Sequence, residues 1–195
     1  MATEQRTTPS GHENDVATPA PGDLELLRSF LSLHDHAADG ADSVPASAPT
    51  VQRWLSEHEL VTGESSPEAL AGALITLEDL RTLVGETGGA PREPSAVTRL
   101  DAAAARAGIS LRMADAELTP AAGGIDGAVG RLIAIAFLAR LDGSFARLRP
   151  CSNPRCRSVF YDRSKNRSAR WCDMRSCGNQ AKVRAYRQRQ RAAGA

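Results

Sequence analysis

All four cysteines of this 195-residue chain lie between positions 151 and 177, in two copies of one six-residue figure, CSNPRC and CDMRSC. The spacing is Cys-x4-Cys-x15-Cys-x4-Cys. Four thiolates delivered by two short chelating loops are what a tetrahedral zinc site requires. Within each loop the second sulfur is nearly local to the first, so only the 15-residue gap is closed against chain entropy. Two disulfides are the competing chemistry. They belong to oxidising compartments, and the N-terminal stretch MATEQRTTPSGHENDVATPAPG lacks the apolar core of a secretory signal. The expectation is a cytoplasmic chain holding one structural zinc ion on Cys151, Cys156, Cys172 and Cys177. The four histidines, His12, His34, His36 and His58, are all upstream of the cysteines. The site is therefore closed, all-thiolate and without an open position for catalysis.

The metal must be positioned by very little protein. CSNPRC centres on Asn-Pro and reads as a turn; SVFYD is a short strand, RSKNRS a polar connection and ARWC a returning strand. From Gly178 the run GNQAKVRAYRQRQRAA is strongly helix-forming, which sets Cys177 at a helix N-terminus where the macrodipole favours a thiolate. Loop, hairpin and helix make a treble-clef-like module. Its candidate core is Val159, Phe160, Tyr161, Trp171, Met174, Val183 and Tyr186. So few apolar residues in 49 fall below what folds without a staple.

The charge is divided as sharply as the cysteines. Residues 147–195 carry a balance of +12 and residues 1–146 one of −11, so the net charge of +1 conceals a basic module joined to an acidic body. Twenty-two arginines against two lysines suggest GC-rich coding, but codon bias does not remove acids from the last 49 residues. The candidate phosphate contacts are Arg163, Lys165, Arg167 and Arg170 in the hairpin connection, and Lys182, Arg184, Arg187, Arg189 and Arg191 on the helix. Arg184, Arg187 and Arg191 share one helical face. Neutralising six phosphates would give a log–log salt slope of about −5.4 on duplex DNA. The acidic body is equally a candidate mask for this basic surface.

The remaining sequence supplies a helical body. Residues 1–22 read as a disordered tail and residues 23–146 as a helical domain, with the zinc module at 147–195. Asp23 can cap a helix reaching about His34, AADGADSVPASAP reads as a loop, and a second helix spans about Thr50 to Leu60. Ser66, Pro67 and Glu68 form a clear start signal for a helix ending at Gly85. Ser95 opens another, running to Gly108. ISLRM and ELTPA suggest a small β-hairpin, and GGIDGAVGRLIAIAFLARLDG is the most apolar helix and the expected core. The fold class is mainly α. The longest apolar run, Leu132 to Ala139, is far below the ~20 residues of a membrane helix. HDH at 34–36 with His58 invites a metal-hydrolase reading, but no nucleophile, base and oxyanion set accompanies it, so no catalysis is expected.

The stretch RLRPCSNPRCRSVFYDRSKNRSARWCDMRSCGNQAKVRAYRQR resembles the CGNR zinc-finger family of bacterial proteins. Cys151, Cys156, Cys172 and Cys177 fall on that family's four metal positions, while the signature here reads Cys177-Gly178-Asn179-Gln180, with Gln in place of the last Arg. LLRSFLSLHDH resembles, more loosely, the opening helix of the ABATE domain that precedes this finger, with Ser32 and Leu33 where Asn and Thr usually stand. The resemblance implies a stress-induced transcription regulator, with RNA binding also suggested. The expected function is a DNA-binding regulator whose body senses a small-molecule effector or forms a homo-oligomer. RNA binding, with Tyr161 or Tyr186 stacking on bases, and a protein-interaction finger are the alternatives; both tyrosines are more simply read as core.

Overall fold

A computed structural model of the chain describes residues 19–37 and 42–193. The sequence-predicted disordered tail lies, for residues 1–18, outside the described residues. From residue 19 the chain is already tied down: Ala20 is buried, and its N–H donates to Glu25 Oε2 at 2.6 Å.

Helix α1 (Leu24–Leu31) places Leu24, Leu27, Phe30 and Leu31 on one buried stripe. Asp23 stands at its N-cap position, but its side chain makes no capping bond. The helix also stops short of His34. There the chain becomes β1 (His34–His36), paired antiparallel with β2 (Ser43–Pro45) inside the stretch expected to be loop. Asp35, between the two histidines, ties down the start of the next helix: its carboxylate accepts from Ser47 N–H at 2.9 Å and from the Thr50 hydroxyl. Burial alone would raise that carboxyl, but these bonds outweigh it and hold it below the ordinary aspartate range.

Helix α2 (Ala48–Glu57) buries Val51, Trp54 and Leu55. Helix α3 (Pro67–Thr87) begins as its start signal predicts, with Ser66 Oγ accepting from Ala69 N–H at 3.2 Å. It runs on through Gly85 to Thr87, which is tied to the later chain: its hydroxyl donates to Leu148 O at 2.9 Å and its carbonyl accepts from Arg149 at 3.1 Å. Helix α4 (Pro94–Ala107) ends on Gly108 at φ 61°, the left-handed conformation glycine adopts without cost. The ISLRM/ELTPA hairpin forms as β3 (Ile109–Arg112) and β4 (Glu117–Pro120).

Helix α5 (Gly124–Leu141) is the centre of the fold, packing on α1, α3, α4 and β4. At Gly130 the approach is close enough that a Cβ would sit 2.5 Å from Ala107 Cβ and 3.0 Å from Pro120 Cβ. The outer side of its last turns, with Phe137, Leu138 and Leu141, faces solvent. Among the described residues no helix is long and apolar enough to cross a membrane. Asp79, 4% exposed in α3, is neutralised by a bidentate bond from Arg99 of α4.

The chain then makes a short 3-10 turn (Ser144–Arg147) and enters β5 (Leu148–Pro150), which pairs antiparallel with β6 (Val159–Tyr161). The module's hairpin therefore differs from the expected one: SVFYD pairs backward with LRP, not forward with ARWC. Two contacts account for this. Beyond β5, the free edge of β6 is covered by α1, where Ser32 Oγ accepts from Val159 N–H at 3.1 Å and lies 2.9 Å from Val159 O. Immediately after β6, Asp162 folds the chain into a side-chain-capped turn. ARWC keeps one backbone tie of this kind, Ser152 N–H to Arg170 O at 2.8 Å.

The β5–β6 hairpin belongs to the main core. Leu148 (0% exposed) and Val159 (2%) are buried in one cluster with Leu27, Phe30, Leu80 and Leu132. The module is thus welded to the body through its strands. The chain ends in α6 (Asn179–Ala193).

Candidate metal centre and nucleic-acid interface

The first cysteine loop is the connection of the β5–β6 hairpin. Cys151 N–H extends the ladder to Ser158 O at 3.0 Å, and Cys156 N–H closes a turn on Asn153 O at 2.9 Å. The second loop is a single π-helical turn (Met174–Gly178) leading into α6. Asp173 caps it, accepting from the N–H groups of Arg175 and Ser176, both at 3.0 Å. Cys177 sits in this wider turn, one element earlier than the α-helical N-terminus expected from sequence. At Gly178, which follows, a Cβ would lie 3.2 Å from the Trp171 ring and 2.5 Å from the Sδ of the exposed Met174.

These two loops bring all four Sγ atoms within 4.8 Å of one another. Cys172 Sγ lies 3.7 Å from the sulfurs of both Cys156 and Cys177. A tetrahedron with metal–sulfur bonds of about 2.3 Å has edges of about 3.8 Å, whereas a disulfide brings its sulfurs to about 2.05 Å. The spacing is that of a metal site, and all four cysteines are free thiols. Among the described residues this is the one group of His, Cys, Asp or Glu so arranged.

Sulfurs this close cannot all ionise without a cation. Hydrogen bonds shared with Cys151 and Cys172 hold the Cys156 thiol far below the ordinary range, with further help from Ser158 N–H at 3.5 Å. The same bond to Cys156 pushes Cys151 up to about 12, and its bonds to Cys151 and Cys156 push Cys172 higher still. A bound dication reverses that order and deprotonates the set outright.

Asn153 links the metal centre to the basic helix. It is 3% exposed, and its Nδ2 donates to Cys177 Sγ at 3.3 Å and to Gln180 Oε1 at 3.2 Å. Its Oδ1 accepts from Arg155 N–H at 3.3 Å and from Arg184 Nη2 at 2.9 Å. Outer partners of this kind orient metal ligands. Gln180, where the resembled signature has Arg, accordingly supplies an acceptor rather than a charge. The sequence marks Asn153 only as part of a turn and Ser32 only as a position of the resembled ABATE helix; neither contact is legible there.

Asp162 organises the basic connection. It is 1% exposed, and its carboxylate accepts from Ser164 N–H at 2.8 Å and Ala169 N–H at 3.0 Å, closing the loop that carries Arg163, Lys165 and Arg167. Burial alone would raise its pKa, but these bonds and the charge of Arg149 hold it below the usual value. A depressed carboxyl stabilises the fold fully above its unfolded pKa, about 3.9, and that stabilisation is lost as pH falls through the folded value. Asp162→Asn should cost about 1.5–3 kcal/mol at pH 7. In urea titrations the difference from the parent chain should shrink at pH 3; an equal difference at both pH values would mean that charge is not the cause.

Most of the predicted contact residues are exposed: Arg163, Lys165, Arg167, Arg170, Lys182, Arg187, Arg189 and Arg191, with Arg184 half-buried. Arg163 also donates to Pro19 O at 2.8 Å and lies over the Tyr161 ring; Arg170 lies over Trp171. Among the described residues none of the nine pairs with a carboxylate. The ion pairs between body and module are made by two other arginines, Arg157 to Glu78 at 2.7 Å and Arg155 to Asp42 at 3.1 Å. Of the expected module core, Phe160 and Trp171 pack on the cysteines, and Val159 and Tyr161 pack on the body. Met174 (53%), Val183 (40%) and Tyr186 (58%) are exposed, so the expectation of a core role fails for these three.

The histidine motif does not assemble a site of this kind. His58 stacks on Trp54 at 4.2 Å, and Asp35 is engaged by Ser47 N–H and the Thr50 hydroxyl.

Residues 147–190 match the CGNR zinc finger family. No curated protein matches the chain. With the four gathered thiols, the match makes the C-terminal module a metal-binding zinc finger.

Proposed function

We propose that this chain is a zinc-stapled, duplex-DNA-binding regulator, cytoplasmic and without catalytic activity of its own. One zinc ion held by Cys151, Cys156, Cys172 and Cys177 supplies the cross-link that orders the module. The observation that carries the reading is the set of exposed basic residues with no carboxylate partners among the described residues, displayed beside the metal centre on α6 and the 162–169 loop. Arginines in this state are phosphate ligands awaiting an anion. The loose resemblance of residues 23–146 to the ABATE domain supports a division of labour in which the body senses an effector or self-associates. Its exposed Phe137, Leu138 and Leu141 support self-association.

A second reading, RNA binding, is favoured by Tyr186, which stands exposed among arginines and can stack on an unpaired base. Titration of labelled duplex DNA and single-stranded RNA by the full zinc-loaded chain separates the two. Duplex DNA should bind more tightly, with a log–log salt slope of about −5. Tighter RNA binding that falls on Tyr186→Ala would replace the DNA reading. Failure of both would leave a protein-interaction finger.

A further inference from the structure

The nine basic residues do not form one uniform surface. Between α6 and the first cysteine loop runs an open groove of about 870 Å³, lined by Arg155, Gln180, Arg184, Arg187, Gln188 and Arg191, with Asn179 and Val183 at its edge. On α6 the residues 180, 184, 187 and 191 recur at helical spacing and form one stripe. Lys182 and Arg189 fall on the opposite side of the helix and do not line the groove.

Three features set the groove face apart. It is registered to the metal: buried Asn153 bonds Cys177, Gln180 and Arg184 at once, so two groove residues are held at fixed distances from a ligand sulfur. It has a second wall from another part of the chain, since Arg155 lies between Cys151 and Cys156 and is steadied by Asp42. Finally, it alternates guanidinium groups with the amides of Asn179, Gln180 and Gln188, the mixture that combines phosphate contacts with base-edge contacts. The far face carries Lys182 and Arg189 with Tyr186 and alanines, and none of these amides. Residues 186–192 are exposed on every side, so this part of α6 stands clear of the body, as entry into a major groove about 12 Å wide requires. Arg184, Arg187 and Arg191 repel one another at spacings of three and four, and phosphates between them would relieve that repulsion.

We propose that duplex DNA engages α6 through this groove face alone, with Arg187 and Arg191 on phosphates, Gln188 toward the base edges, and Lys182 and Arg189 outside the contact. The inference rests on the DNA-binding reading above.

The test compares two variants that remove equal charge from one helix, Arg187→Gln/Arg191→Gln and Lys182→Gln/Arg189→Gln. Each is titrated as the full zinc-loaded chain against a random-sequence duplex over a range of salt. The groove-face pair should lose at least about tenfold in affinity and lower the magnitude of the salt slope by about 1.8, while the far-face pair loses less than about threefold with the slope unchanged. Zinc content and circular dichroism show that both remain folded. Equal losses, or a larger loss from the far face, overturn the groove assignment and leave DNA binding standing. If the parent chain binds no duplex, the functional reading fails and takes this inference with it.

Discussion

Stripping the metal from the full chain is expected to abolish nucleic-acid binding and to loosen the body as well as the module. Without a cation, four sulfurs within 4.8 Å of one another cannot all carry charge. The apolar residues that close around them are few: Phe160, Trp171 and Ala169. Metal binding worth about 10–16 kcal/mol in comparable small zinc units therefore dominates the local fold. Its loss frees the π turn that starts α6 and the Asn153 bonds that orient Gln180 and Arg184. It also frees the loop closing the β5–β6 hairpin, whose Leu148 and Val159 lie in the body's core. Chelation, or Cys156→Ser as a chelator-free equivalent, should thus eliminate DNA binding and lower the urea midpoint of the whole chain. Undiminished DNA affinity in the metal-free chain would refute the stapled-scaffold account. An unchanged body midpoint would show that the strands hold without the metal.

Leu148→Ala should destabilise the whole chain severely. Leu148 is fully buried beside the cluster that includes Leu80, Leu83 and Leu132, and its carbonyl accepts from the Thr87 hydroxyl at 2.9 Å. Truncating a buried leucine costs about 2–5 kcal/mol, by lost transfer free energy and by the cavity left behind. Because the residue joins strand β5 to helix α3, that cost should appear as a shift of one cooperative unfolding transition followed by Trp54 and Trp171 together. Two separated transitions in the parent chain would show instead that the module and body unfold independently.

The strands explain why some of the fold was legible in the sequence and some was not. The start of α3, the end of α4, the β3–β4 hairpin and the central place of α5 follow from local signals: a Ser-Pro-Glu opening, a left-handed Gly108, alternating residues and a long apolar helix. Each is decided within a few residues of itself. The pairing of SVFYD is different, because the strand has two potential partners in sequence, before and after it. The arrival of α1, with Ser32 on the edge of Val159, and the turn capped by Asp162 decide between them.

The site divides in the same way. The sequence by itself determined the ligand set, because a tetrathiolate centre needs four cysteines in two short loops and the chain has no others. It also determined where the basic charge lies, since acids are nearly missing from the last 49 residues. Tertiary structure decided how that charge is deployed. It turned Arg155 and Arg157 to the body's carboxylates, tied Arg184 to the metal centre through Asn153, and left Tyr186 and the α6 arginines facing solvent. The physical reason is range: chelate spacing and charge content are properties of the chain, whereas the partner of a long, flexible guanidinium is set by whatever folding brings within about 3 Å of it.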